Sequence, residues 1–180
     1  MVVCRNANHI ELLRSLRDHG ARRSAEGMPH FDTLGFNYRM TDLQAALGIS
    51  QMNRVDEFVA SRQSLANRYY SKLKDLPITL PFQANNTHSS FHLYVIRLNL
   101  DLIEKSHKEV FEALRSKDIG VNLHYIPVHI HPYYQSLGFH LGDFPEAEQY
   151  YKEAISIPIF HGLKIEQQDS VINAITEVIA

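Results

Sequence analysis

Residues 34–52 read LGFNYRMTDLQAALGISQM, and within them a polar loop segment gives way to a helical pattern. Thr41 and Asp42 are suited to start a helix, because their side-chain oxygens can accept hydrogen bonds from the free N–H groups of the first turn. Two runs of side chains then recur at steps of three and four residues, with a five-residue step from Leu47 to Met52 between them. They are Leu43, Leu47, Met52, Val55, Phe58, Arg62, Leu65, Tyr69 and Leu73. The pattern predicts helix over most of 41–75, as one bent helix or two abutting helices that meet near Asn53.

The residues before this segment predict a shorter helix followed by a long loop. Asn6 or Asn8 can cap an amphipathic helix that stops at Gly20. Residues 21–35 are polar, contain three Gly or Pro residues and show no sustained period, so they predict a loop. Loops of this length in compact domains are usually functional or disordered. Residues 1–4 are apolar and are typical of the end of a buried strand.

The residues after this segment predict a small α/β domain. Pro77 and Pro81 end the helical stretch. Beyond them the pattern predicts strands at 91–98 and 121–125, with a helix from about 104 to 117 between them, which together form a β-α-β unit. Further helices are predicted near 145–154 and 165–178, on either side of a short apolar piece at 155–157. A sheet covered by helices is the expected result.

Composition excludes several classes of protein. The 180 residues are 44% hydrophobic and 21% charged with only 8 Gly and 7 Pro, which excludes collagen-like and disordered chains. Eighteen basic against 20 acidic residues, without a basic run, give no sign of nucleic acid or anionic membrane as a partner. The single cysteine, Cys4, favours a reducing compartment. No apolar run reaches the ~18 residues of a membrane span, so a cytoplasmic protein is expected.

Three histidines within eight residues, His124, His129 and His131, suggest a metal site at first sight. However, no Asp or Glu lies between Gly120 and Leu141, and no His-x-x-x-His pair falls on a predicted helix. The sequence therefore does not predict a metal centre. Partly buried histidines bonded to backbone carbonyls, or histidines that bind a polar ligand, remain as the alternatives.

The block from Leu34 to Met52 resembles the G-x-N-Y-R-M-T-D-x-Q-A-A signature of the DegT/DnrJ/StrS sugar-nucleotide aminotransferases. Three further segments at 90–94, 124–129 and 144–160 resemble that family in the same order, so the resemblance covers essentially the whole chain. Within the family, the amino-acid sequence of residues 120–134 most resembles that of members that make UDP-4-amino-4,6-dideoxy-N-acetyl-β-L-altrosamine on the way to pseudaminic acid.

The resemblance implies an α/β chain that forms the C-terminal part of a fold-type-I pyridoxal phosphate (PLP) aminotransferase. It implies the end of the large domain at 1–40, an interdomain helix or helices at 41–76 and a small α/β domain at 77–180. The implied reaction moves an amino group, with L-glutamate as donor, to the C4 ketone of a UDP-linked 4-keto-6-deoxy sugar. The implied assembly is a homodimer with active sites shared between subunits.

This chemistry needs a lysine that holds the cofactor as a Schiff base. None of the seven lysines stands in a context that matches the family, and the family's lysine is expected before residue 1, so no catalytic residue is assigned. This polypeptide alone is expected to be inactive. The resemblance assigns Asn37 to the partner subunit's cofactor phosphate. Arg39 is a second candidate for cofactor binding, because its fork of donors can pair with a phosphate or a carboxylate. The alternatives are an unusual backbone conformation at Asn37 and an ion pair between Arg39 and Asp42.

The resemblance assigns His124, Tyr125 and His129 to the sugar nucleotide, with internal packing as their alternative. The loop 21–34, with Arg22, Arg23 and His30, resembles a mobile segment beside the active site, or is simply a solvated charged loop. Two other functions stay open at this point. One is a sugar-nucleotide-binding module without chemistry. The other is a PLP-dependent sugar dehydratase of the same family, in which histidine replaces the lysine.

Overall fold

A computed structural model of the chain describes residues 2, 4–23 and 27–179. The strand end predicted for residues 1–4 falls partly on Met1 and Val3, which lie outside the described residues. The chain divides into two compact units, 1–54 and 55–180. The domain boundaries predicted at residues 40 and 76 concern the whole protein and stay a prediction.

The first unit begins with helix α1 (Ala7–Arg17), which Asn6 caps by accepting a hydrogen bond from the Asn8 N–H at 2.9 Å. Two short strands follow, β1 (Ala21–Arg23) and β2 (Pro29–Phe31), paired antiparallel. The prediction of a structureless loop over 21–35 is therefore wrong. Three-residue strands are too short to show an alternating pattern, and the residues between them, 24–26, lie outside the described part of the chain.

Helix α2 (Asp42–Met52) ends the first unit, and its start is the capping box that Thr41 predicts. The Thr41 hydroxyl accepts from the Gln44 N–H at 3.3 Å, and the Gln44 side chain accepts from the Thr41 N–H at 3.0 Å. No residue of α2 is buried, although Leu43, Leu47 and Met52 are apolar. The helical run breaks after Met52 and resumes at Val55, which confirms two helices rather than one.

The second unit consists of helices on a four-stranded sheet. Its elements are α3 (Val55–Leu73), β3 (Ile78–Thr79), β4 (Tyr94–Leu98), α4 (His107–Ser116), β5 (Asn122–Leu123), a 3-10 turn (Val128–Ile130), α5 (Pro132–Gln135), α6 (Pro145–Glu153), β6 (Ala154–Ile157) and α7 (Ile165–Ile179). The strand order is β3-β4-β6-β5, and every neighbouring pair is antiparallel. Since β4 and β5 both run opposite to β6, they are parallel to each other, so the predicted β-α-β unit is present with β6 inserted between its strands.

Both predicted strands of that unit are too long. β4 starts three residues later than predicted, because Phe91 has a positive φ of 44° and leaves the extended conformation. β5 keeps only two of the five residues expected, and the chain turns away at His124 toward Pro127. The residues predicted as strand ends therefore lie in loops, and these loops carry side chains of the candidate site.

The core of the second unit lies between the sheet and helices α3, α4 and α7. Its most deeply buried side chains include Tyr69, Leu73, Ile96, Leu98, Val110, Leu114, Ile155 and Ile175. Burial of each large apolar side chain contributes about 1.5–3 kcal/mol relative to exposure. One polar side chain, Gln168, is fully buried and bonded: it donates to the Leu65 carbonyl at 2.8 Å and accepts from Arg68 at 3.2 Å. No helix in the described part of the chain is long and apolar enough to cross a membrane.

Candidate functional site

In the first unit, the predicted cofactor-binding residues lie where the segment 36–38 runs alongside the end of α1. The Phe36 N–H donates to the Leu16 carbonyl at 2.7 Å, and the Tyr38 N–H donates to the Arg17 carbonyl at 3.0 Å. Asp18 and Asn37 form an isolated antiparallel bridge. The sequence therefore brings Asn37 and Arg39 next to the carboxylate of Asp18.

Two glycines make this close approach possible. A Cβ on Gly35 would lie 2.0 Å from the Gly20 nitrogen, and a Cβ on Gly20 would lie 1.8 Å from the Thr33 carbonyl oxygen. Gly20 also has a φ of +79°, which side-chain-bearing residues rarely adopt. These positions are therefore restricted to glycine by backbone contact.

Asn37 and Arg39 are hydrogen-bonded to each other and exposed. Arg39 Nε donates to Asn37 Oδ1 at 3.2 Å. This bond uses the amide oxygen of Asn37, so the amide N–H₂ group can still donate to a ligand. The alternative of an unusual backbone at Asn37 is wrong, because the described non-glycine residues with positive φ are His19, Phe91 and Asp118. The alternative of an Arg39–Asp42 pair is also wrong, because the ion pair of Arg39 is with Asp18, at 3.6 Å.

Asp18 balances only part of the positive charge at this place. Its carboxylate also pairs with Arg17 at 2.6 Å, and the hydrogen bond from Arg17 holds the pKa of Asp18 below its usual value. Two guanidinium groups, from Arg17 and Arg39, thus face one carboxylate. The surplus charge and the free amide donor of Asn37 suit an anion such as a phosphate group.

In the second unit, His124 and Tyr125 follow directly after β5, and His124 bonds a residue that lines a cavity. His124 Nδ1 is 3.1 Å from Ser156 Oγ, and its ring stacks on Tyr125 with centroids 4.8 Å apart. The cavity has a volume of about 440 Å³. Its lining comprises Leu93, Gly120, Asn122 and residues 156–160. His124 is not itself a lining residue, but its imidazole is linked to the cavity wall through the hydrogen bond to Ser156, which lines the cavity.

The side chains of His124 and Tyr125 both have polar groups that a ligand could bind. His124 uses Nδ1 for Ser156, and its Nε2 makes no hydrogen bond with any other described residue. Tyr125 is 70% exposed. A half-buried imidazole and an exposed phenol can bind hydroxyl or phosphate oxygens by hydrogen bonds. Sequence analysis missed Ser156, whose only signal was its place in the 144–160 segment.

His129 has a different environment from His124. Its ring is 6% exposed, its Nε2 lies 2.8 Å from Glu148 Oε1, and Phe144 packs against it at 4.9 Å. The Gly142 N–H donates to the same Glu148 oxygen at 2.7 Å, and this bond, together with that to His129, lowers the pKa of Glu148. The pair joins the 3-10 turn to α6. The structure thus gives His129 a buried protein partner, and its assignment to the sugar nucleotide stays a prediction.

The structure also describes the surroundings of the 21–34 segment and of the histidines considered as metal ligands. In the 21–34 segment, Arg22 pairs in register with His30 across β1 and β2, and it lies 3.7 Å from Asp32. Among the described residues, no group of three or more His, Cys, Asp or Glu side chains is arranged to hold a metal ion. A larger cavity of about 720 Å³ lies between α3 and the segment 78–83 of the second unit, and its lining does not include Ser156.

Comparison with known proteins identifies a family and several relatives. The model of the DegT/DnrJ/EryC1/StrS aminotransferase family matches residues 1–176. The spore coat polysaccharide biosynthesis protein SpsC of Bacillus subtilis is 34% identical over 163 residues, which are 88% of this chain and 42% of SpsC. The chain spans about half the length of the curated relatives it matches or less.

Solved structures agree with this result. PseC of Helicobacter pylori, an aminotransferase involved in the biosynthesis of pseudoaminic acid, matches with a TM-score of 0.86 and 26% identity, over 97% of this chain and 47% of PseC. DesV of S. venezuelae, solved with a ketimine intermediate, matches with a TM-score of 0.83 and 31% identity, over 96% of this chain and 44% of DesV. The predicted α/β fold is confirmed: the chain matches fold-type-I sugar aminotransferases over about half of their length.

Proposed function

Because the chain belongs to the DegT/DnrJ/EryC1/StrS aminotransferase family, we propose that the whole protein is a PLP-dependent sugar-nucleotide aminotransferase. The proposed reaction transfers an amino group from L-glutamate to the C4 ketone of a UDP-linked 4-keto-6-deoxy sugar. The observation that carries this proposal is the family match over residues 1–176. The relatives in polysaccharide and pseudoaminic acid biosynthesis support a sugar nucleotide on the same kind of pathway.

The residues present fit one end of the cofactor. Asn37 offers amide N–H donors and Arg39 adds positive charge, which together suit the phosphate of PLP. PLP, when bound, supplies the electron sink for amino-group transfer. All seven lysines lie in the second unit at exposed positions, and none stands in a sequence context that matches the family's lysine. We therefore assign this chain to binding and orientation, and we place the cofactor-bearing lysine in the remainder of the whole protein.

The second unit would hold the sugar nucleotide at the cavity beside His124. His124 is oriented by Ser156, so its Nε2 can bond a hydroxyl or phosphate oxygen without first losing a protein partner. Tyr125 stacks on that ring and adds an exposed hydroxyl. His129, bonded to Glu148, would act through the shape of the 128–130 turn rather than by a free ring nitrogen.

The proposed assembly is a cytoplasmic homodimer that shares its active sites between subunits. Support comes from α2, which buries none of its residues although its apolar side chains Leu43, Leu47, Ile49 and Met52 are 64–84% exposed. Exposed apolar surface of this kind is typical of a surface that another chain or domain covers. Light scattering of the whole protein tests the dimer, and a monomer at micromolar concentration contradicts it.

The test of function is an activity assay on the whole protein with PLP, L-glutamate and a UDP-4-keto-6-deoxy sugar. We expect formation of 2-oxoglutarate that depends on the sugar nucleotide. His124→Ala should raise KM for the sugar nucleotide about tenfold with little change for glutamate, since loss of one hydrogen bond to a polar ligand costs about 1.4 kcal/mol. His107→Ala is the matched control, because His107 is also a half-buried histidine but lies on α4 and bonds the Ala154 carbonyl at 3.1 Å.

Other outcomes of this assay would support other functions. Turnover of the sugar nucleotide without consumption of glutamate would indicate the dehydratase. Saturable binding of the UDP-sugar by the whole protein without turnover would indicate the binding module. Absence of both binding and turnover would contradict a sugar-nucleotide function altogether.

A further inference from the structure

Arg62, on the second turn of α3, makes an unusual set of hydrogen bonds. Its Nη1 donates to the carbonyl oxygens of Phe91, His92 and Ile159, at 3.0, 3.1 and 2.9 Å. The side chain is half-buried, and no carboxylate of the described residues forms an ion pair with it. Instead, a charged donor is shared between backbone carbonyls that come from two distant loops. Hydrogen bonds from a charged donor are stronger than those between neutral groups.

These carbonyls lie at one end of the sheet. Phe91 and His92 come just before β4 and Ile159 just after β6, and the antiparallel pairing of Tyr94 with Ile157 brings these two points together. At this end the ladder of strand hydrogen bonds stops, so the carbonyls need other donors. Arg62 supplies them. Phe91 also has its positive φ of 44° here, a conformation that persists only where neighbouring groups hold it.

A second residue of α3 bonds the same loop. The hydroxyl of Tyr69, two turns beyond Arg62, donates to the Pro158 carbonyl at 2.8 Å. Arg62 and Tyr69 therefore hold consecutive carbonyls, those of Ile159 and Pro158, against the helix. The path of residues 158–159 is consequently set by α3 rather than by the sheet alone.

The same loops form the wall of the cavity beside His124. Leu93, which follows the bonded His92, lines the cavity, and so do Pro158 and Ile159. Ser156, which orients His124, lies two residues before Pro158 on β6. A shift of the carbonyls that Arg62 holds would thus move the cavity wall, whereas Arg62 itself is not part of the lining.

We propose that Arg62 is a positioning residue for the sugar-nucleotide site: it holds the 91–92 and 158–159 loops so that the cavity beside His124 keeps its shape. This inference rests on the proposed function for the identity of the ligand. It assigns Arg62 no contact with substrate or cofactor.

Arg68 provides the matched control, because it is a second half-buried arginine on the same helix. It bonds Asp169 at 2.5 Å and Gln168 at 3.2 Å, so it joins α3 to α7 and does not touch the cavity. Arg62→Met and Arg68→Met both remove a charged tie between α3 and the rest of the unit. A purely structural role for Arg62 predicts the same behaviour for the two variants.

The experiment uses the whole protein and UDP-N-acetylglucosamine as a stable probe, with calorimetry for Kd and hydrogen exchange for the loops. For Arg62→Met we expect Kd to rise at least tenfold and the amides near 93 and 159–160 to exchange at least tenfold faster. For Arg68→Met we expect a comparable fall in Tm with less than a twofold change in Kd. Arg62→Lys should recover part of the affinity, because an ammonium can still donate to the carbonyls. It also serves as the test variant if the Met variant does not fold.

The outcomes separate the two hypotheses. If the wild-type protein binds the probe and the two Met variants weaken binding equally, or neither does, the positioning role of Arg62 is overturned while the proposed function stands. Unchanged exchange near 93 and 159–160 in Arg62→Met also overturns it. If the wild-type protein binds neither this probe nor its 4-keto-6-deoxy substrate, the proposed function fails and the positioning role fails with it.

Discussion

Replacement of Gly35 by alanine should open the contact that places Asn37 and Arg39 beside α1. The added Cβ would lie 2.0 Å from the Gly20 nitrogen, about 1.4 Å short of the 3.4 Å of an ordinary contact. The neighbouring atoms belong to the backbone, so relief requires the segment 35–38 to move away from residues 19–20.

A movement of that size exceeds what the local hydrogen bonds tolerate. Three of them cross this contact: Phe36 N–H to Leu16 O at 2.7 Å, His19 N–H to Phe36 O at 2.9 Å, and Tyr38 N–H to Arg17 O at 3.0 Å. Each contributes about 0.5–1.5 kcal/mol, so their loss costs about 1.5–4.5 kcal/mol. At about 1.4 kcal/mol per factor of ten, the amides concerned should exchange roughly ten to a thousand times faster.

Amide hydrogen exchange read by NMR measures this effect residue by residue, and Gly48→Ala is the matched control. Gly48 lies in α2, and a Cβ there would meet no described atom within 4 Å apart from the backbone of its own helix and its chain neighbours. Since alanine favours helix over glycine by up to about 1 kcal/mol, this variant should leave the exchange at Phe36 and Tyr38 unchanged. The reasoning is refuted if Gly35→Ala keeps the wild-type protection at these amides, or if Gly48→Ala lowers it as much.

Three further predictions concern the second unit. Because the pKa of Glu148 is lowered in the folded chain, its contribution to stability is present above its ordinary value of 4.5 and is lost as the pH falls through the folded pKa. Glu148→Gln should therefore flatten the acid side of the Tm-against-pH curve, and an unchanged acid limb would contradict a stabilising role of the Glu148 bonds to Gly142 and His129. Tyr69→Phe leaves the Pro158 carbonyl without its donor and should lower the free energy of unfolding, measured by urea titration, by about 1 kcal/mol. An unshifted urea midpoint would contradict this prediction. Ile96→Ala, at a fully buried position, should cost about 2–5 kcal/mol, and a loss under 1 kcal/mol would place Ile96 outside the core.

The helices were the predictable part of the fold, because their signals are local. Thr41 caps α2 as expected, and the three-and-four spacing gives two helices that meet at Asn53. The strands were predictable only in outline. β5 keeps two residues, and β1, β2 and β3 were not predicted, since the stability of short strands comes from their pairing partners rather than from their own pattern.

The candidate site was predictable as a set of residues but not as an arrangement. His124 and His129 look alike in the sequence, five residues apart, yet one bonds Ser156 in the wall of a cavity and the other is buried against Glu148. The acidic partner of His129 is Glu148, which lies 19 residues further on, outside the segment from Gly120 to Leu141 that contains the histidines and no acidic residue. Likewise, nothing in the spacing distinguishes Asp18 from Asp42 as the partner of Arg39.

The sequence by itself determined the family, the positions of the longer helices and the residues that carry polar groups, because helix caps, helical spacing and the 34–52 block depend only on neighbouring residues. The tertiary structure decided what each polar group does. Whether Arg62 forms an ion pair with a carboxylate or hydrogen bonds with three carbonyl groups depends on loops that lie 29 to 97 residues away in the sequence. Such a partner is set by how the antiparallel sheet brings the ends of β4 and β6 together, and that pairing is a property of the packed chain, not of any local segment.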